Sequence, residues 1–108
     1  MAVPRIKTII VARNDGLPLV QTASPGDPAR MAAMASTAVS LNKRIITTIE
    51  AGELTETSIS GTEGQILLYA AGPRAVLAII AESKANIALI NHKARVAAQK
   101  IASEFAAR

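Results

Sequence analysis

At 108 residues and 11.2 kDa the chain is long enough for one hydrophobic core and too short for two, so residues 1–108 read as a single domain. Half of the residues are hydrophobic but only 2% are aromatic, which makes the core aliphatic and excludes a disordered tail. The 12 Lys and Arg against 8 Asp and Glu give a net charge of +4, yet no basic run exceeds Lys43-Arg44 and one Tyr and one Phe offer no stacking platform, which argues against nucleic acid as a partner.

Arg5 to Arg13 is β-branched and nearly continuously apolar from Ile9 to Ala12, the pattern of a strand buried on both faces and central in its sheet. Asn14-Asp15-Gly16 follows as a hairpin turn, because such turns need positive φ, and Leu17 to Ala23 returns as a second strand. Pro18 lacks an amide donor, which places that strand at an edge. Ser24-Pro25-Gly26 breaks the chain, and Asp27-Pro28 opens a helix with a capping carboxylate and a proline at the first helical position. This helix spans Asp27 to Arg44, with Ile45 to Ile49 able to add a turn and Gly52 as its stop. Lys43 and Arg44 suit the negative pole of the helix dipole.

Leu54 to Ser60, crowded with Thr and Ser, reads as a polar third strand at an edge. Gly61 to Gly64 turns into Gln65 to Ala71, and Gly72-Pro73 turns into Arg74 to Glu82, whose apolar run makes it central. Ser83 or Asn86 can cap a last helix with a buried stripe of Ile87, Ile90, Ala94, Ala97, Ile101 and Phe105. The order is β-β-α-β-β-β-α, an α+β arrangement with one helix for each face of the sheet.

The helix of Asp27 to Arg44 has two faces suited to contact. Met31, Met34, Ala38, Leu41 and Ile45 recur at helical steps and are expected to face the chain's own sheet. The opposite side carries Ala29, Ala32, Ala33, Ser36, Val39, Ser40 and Lys43, whose small centre would let a second backbone approach. No other helix remains to fill it, so the same helix of a second subunit is the expected occupant. The alternative is an Ala-rich helix with a mildly polar exposed face.

Nothing in the sequence assembles catalytic chemistry. His92, the lone histidine, falls off the buried stripe of the last helix and reads as a surface residue. The carboxylates occupy turns, caps and polar faces rather than an acid/base pair or a metal cluster. The glycines lie between strands, whereas a phosphate loop opens a helix. The absence of cysteine removes thiolate nucleophiles and Cys-based zinc. No catalytic residue, cofactor or metal is expected, and the function is expected to be binding. MAVPRIKT has no apolar signal core and no apolar run approaches the ~20 residues of a membrane span, so a soluble, cytoplasmic protein without membrane insertion is expected.

The strand ending in Asn14-Asp15-Gly16-Leu17-Pro18, the Ala/Met helix, Gly52-Glu53-Leu54 before a polar strand, the Glu63-Gly64 turn and Asn86-Ile87-Ala88-Leu89 opening the last helix together resemble the Roadblock/dynein light chain domain, a profilin-like fold. The resemblance implies a five-stranded antiparallel sheet in the order second, first, fifth, fourth, third, with helices on both faces. It implies a homodimer, or a heterodimer with a Roadblock paralogue, in which the middle helices pair through Ala29, Ala32, Ala33, Ser36, Val39 and Ser40. The third strands would join edge to edge through Thr55, Thr57 and Ile59. Family members regulate or scaffold small Ras-like GTPases and some are dynein adaptor subunits. Arg30, Lys43 and Arg44, at the ends and flanks of the helix, are the corresponding GTPase contacts. A nucleotide-independent structural adaptor is the second reading and a basic nucleic-acid binder the third. Many relatives carry an N-terminal helix before the first strand, which this sequence lacks.

Overall fold

The computed structural model describes residues 5–21 and 27–106. Its elements are β1 (Ile6–Arg13), β2 (Pro18–Gln21), α1 (Pro28–Thr48), β3 (Thr57–Ser60), β4 (Gly64–Ala71), β5 (Ala75–Glu82) and α2 (Ile87–Ala106). The strands form one antiparallel sheet in the order β2-β1-β5-β4-β3. The most apolar strand, β5, is central, and the strand opened by Pro18 lies at an edge where its missing donor breaks no ladder.

Alternation along each strand divides the core in two. Ile10, Ala12, Leu68, Val76 and Ala78 face α1 and meet Ala32, Ala35 and Val39. Leu67, Tyr69, Leu77 and Ile79 face α2 and meet Ile90, Ala94 and Ala98. In both layers large side chains rise from the sheet and small ones descend from the helix, so each helix sits close to its floor and the volumes interdigitate.

The local signals act as their chemistry requires. The Asp27 Oδ1 accepts from the Ala29 and Arg30 amides at 3.0 and 3.4 Å, with Pro28 at the start of the helix. The Asn86 Oδ1 accepts from the Leu89 amide at 3.1 Å and caps α2. Gly16, at φ +94, closes the β1–β2 hairpin directly beneath α1, where a Cβ would lie 3.0 Å from the Ala33 Cα.

Four expectations are corrected. Helix α1 runs on to Thr48, so Lys43 and Arg44 lie before its last turn and do not act at its C-terminal pole. Strand β3 begins at Thr57 rather than Leu54, because residues 54–56 swing away from β4, and Glu56 pairs instead with Arg95 of α2. Ile87 is exposed in the first turn of α2 rather than part of its buried stripe; the Phe105 side chain lies outside what is described, as do residues 22 and 23 of the expected second strand. The fourth correction concerns the faces of α1.

Candidate interaction surface

Helix α1 is turned through about half a revolution from the expected orientation. Ala32, Ala35, Ser36 and Val39 are its buried residues, and Val39 retains only 2% exposure. The Ser36 hydroxyl donates to the Arg13 carbonyl at 2.9 Å, fastening the helix to the end of β1. Of the six helix residues assigned to a dimer face, Ala32, Ser36 and Val39 are therefore buried against their own sheet, while Ala29, Ala33 and Ser40 are exposed. The reason is the sheet floor: Ile10, Leu68 and Val76 already fill the layer, and only short side chains fit between them and the helix.

The long side chains are left outside. Met34, Leu41, Ile45 and Ile49 are 56%, 54%, 48% and 63% exposed. Met34, Leu41 and Ile45 share one stripe by helical geometry, while Met31 and Ala38 are only partly buried. Burying what remains exposed of four aliphatic side chains is worth about 1 kcal/mol each, an unusual amount of stabilisation to leave unused on one helix.

At the far edge of the sheet β3 presents a second apolar point. Ile59 is 51% exposed, and β3 pairs only with β4, so its outer ladder has no strand beside it. Thr57 is half-buried, its hydroxyl accepting from the Asn42 side chain at 2.9 Å, which couples the strand to α1. Thr55 lies outside the strand, and its hydroxyl donates to Glu56 at 2.6 Å. That bond and the Arg95 guanidinium hold the Glu56 carboxyl below the usual range, so the Glu56–Arg95 pair that anchors the approach to β3 persists at neutral pH.

The three cations named from the sequence are all exposed but are not brought together. Arg44 lines a depression of about 420 Å³ with Asn14, Asp15, Ser40 and Leu41, between the β1–β2 turn and the aliphatic stripe. Lys43 opens on the other side of the helix, toward Thr47, Leu54 and Pro73. Arg30 lies one turn before Met34, on the stripe itself. The turn beside Arg44 is stiff: Arg13 Nε donates to Asp15 at 3.0 Å, the Leu17 amide to the same carboxylate at 3.2 Å, and Asn14 to the Pro73 carbonyl at 3.0 Å. His92 is exposed on the outer side of α2. Among the described residues no group of three His, Cys, Asp or Glu could hold a metal ion, and no helix is long and apolar enough to cross a membrane.

A five-stranded antiparallel sheet between two helices, with an aliphatic stripe outside one helix and an open edge strand beside it, defines a domain built to present a face rather than to enclose a site. The chain belongs to the Roadblock/LC7 domain family, whose model matches residues 1–81. It is 34% identical over 102 residues to the uncharacterized protein MJ1340 of Methanocaldococcus jannaschii, covering 93% of this chain and 88% of that one. The fold matches a solved Roadblock/LC7 domain from Streptomyces avermitilis with a TM-score of 0.87 at 20% identity, over 95% of this chain and 88% of that one. It also matches a structure of MglB with tetrameric arrangement with a TM-score of 0.81 at 14% identity, over 91% and 76%.

Proposed function

We propose that this Roadblock domain is a non-catalytic, dimeric regulator or scaffold that binds a small Ras-like GTPase on the α1 side. The observation that carries the reading is the exposed stripe of Met34, Leu41 and Ile45. In a two-fold dimer this stripe meets itself, and the open edges of β3, with Ile59, come together beside it. The solved MglB of tetrameric arrangement supports self-assembly of this fold.

Pairing through the stripe leaves Arg30 and Arg44 at its margins, with the polar depression between Arg44 and Asp15 opening alongside. These are the groups offered to a GTPase, which would bring its own nucleotide and Mg²⁺; Lys43 serves the other flank. The family resemblance supplies the GTPase as the class of partner, and the protein itself needs no cofactor.

Capture of small GTPases on the immobilised protein, in the presence of a GTP analogue or of GDP, tests the reading. Retention of a GTPase in one nucleotide state, weakened by Arg44→Ala with the dimer intact, is the expected result. Partners retained equally in both states would point instead to a structural adaptor that ignores nucleotide.

A further inference from the structure

The two faces of the sheet are not equally covered. Helix α1 packs on β1, β2, β4 and β5, whereas α2 packs on β4 and β5. Strands lie ~4.8 Å apart and a helix is about 10 Å across, so on the α2 side a strip one helix wide remains over β1 and β2. Its floor is formed by Ile9 and Val11, which touch the α2 core yet stay half-buried, and its wall by Ala97 and Ile101 of α2, in the same condition.

The rim of this trough is basic. The alternation that directs Ile10 and Ala12 to α1 directs Lys7 to the opposite face with Ile9 and Val11, and Lys93 and Lys100 lie one turn either side of Ala97 on α2. All three lysines are exposed, and the ion pairs among the described residues, Arg13–Asp15 and Arg95–Glu56, involve none of them. One carboxylate, Glu104, shares that side of α2.

We propose that this trough binds an amphipathic helix of another protein, one whose apolar stripe is flanked by Glu and Asp. The apolar floor asks for the stripe and the three lysines ask for the carboxylates. Strand β1, eight residues long, spans about 26 Å, the length of a helix of roughly 17 residues. A second copy of this chain is a poor occupant, since α1 contains no acidic residue and the outward acid of α2 is Glu104 alone. A membrane surface fits poorly too, because the apolar residues lie at the bottom of a concavity rather than on a crest. The site faces away from the α1 stripe, so it is independent of the proposed dimer and its GTPase.

The probe is a synthetic helical peptide of about 18 residues with a leucine stripe and glutamate flanks, beside a twin in which lysine replaces glutamate. The full-length protein should bind the glutamate peptide and not the lysine twin, with amide shifts at Ile9, Val11, Ala97 and Ile101. The triple variant Lys7→Glu, Lys93→Glu, Lys100→Glu, at exposed positions that leave the fold intact by circular dichroism, should weaken the glutamate peptide by roughly tenfold or more and gain affinity for the lysine twin. Equal binding of both peptides, no binding, or shifts clustered on α1 would overturn the proposal. Phosphatidylserine vesicles retained where the peptide is not would overturn it in favour of a membrane surface, and a self-association abolished by Lys100→Glu would do so in favour of a second copy.

Discussion

Tyr69 shows how much one side chain settles at the junction of β4 and α2. It is fully buried, its hydroxyl donates to the Asn91 side chain, and burial together with the nearby Glu56 carboxylate pushes its pKa up to about 12. The sign follows from linkage: a phenol whose pKa is raised by folding stabilises the protein only while protonated in the unfolded chain too. That contribution is full below pH ~10 and is lost as pH climbs toward 12, a fall on the order of 2 kcal/mol. Denaturant melts of the wild type and of Tyr69→Phe between pH 9 and 12 should show the extra alkaline loss in the wild type only; parallel curves would remove Tyr69 as its source. At Gly16 the constraint is steric. Its φ of +94 and the 3.0 Å gap to the Ala33 backbone mean that Gly16→Ala must strain the turn or push α1 off the sheet. A cost of roughly 1 to 3 kcal/mol in urea unfolding is expected.

At the scale of the element, α1 separates what a sequence states from what it withholds. Its start was legible because Asp27-Pro28 acts locally, and the β1–β2 hairpin because Asn14-Asp15-Gly16 demands positive φ. The strand order was reached through the family resemblance, with the apolar runs of β1 and β5 consistent with it. Which face of α1 meets the sheet was not legible: helical periodicity reveals two faces, and the choice between them depends on Ile10, Leu68 and Val76, far away in sequence, which leave room only for Ala32, Ala35 and Val39. The start of β3 was missed for a similar reason, since the pull of Arg95 on Glu56 is a contact across 39 positions. The orientation of α1 has an experimental signature. Leu41→Glu should leave a folded monomer by sedimentation, whereas Val39→Glu, burying an unpaired charge, should fail to fold. A well-folded Val39→Glu protein would return α1 to the orientation its Met stripe first suggested.

The molecule as a whole carries its largest apolar surface on the outside of α1 and its open hydrogen-bonding edge at β3. If the stripe is covered by a second subunit, stability depends on mass action, and the melting temperature should rise with protein concentration over a hundredfold dilution series. Ile59→Lys should lower the melting temperature at high concentration and leave it unchanged at the dilute end, because a charge on an edge strand blocks pairing without touching the core. A concentration-independent melt would identify a self-sufficient monomer.

The division of the core by the sheet has a consequence for how this chain tolerates change. The cluster beneath α1 and the cluster beneath α2 have no side chain in common, and two helix layers on opposite faces of a sheet lie roughly 20 Å apart. Val39→Ala and Ile90→Val should therefore destabilise independently, their double-mutant coupling staying below about 0.5 kcal/mol. Under selection, such a protein behaves as two half-genomes joined by a shared backbone. One face can accumulate substitutions toward a new partner while the other continues to answer to the old one.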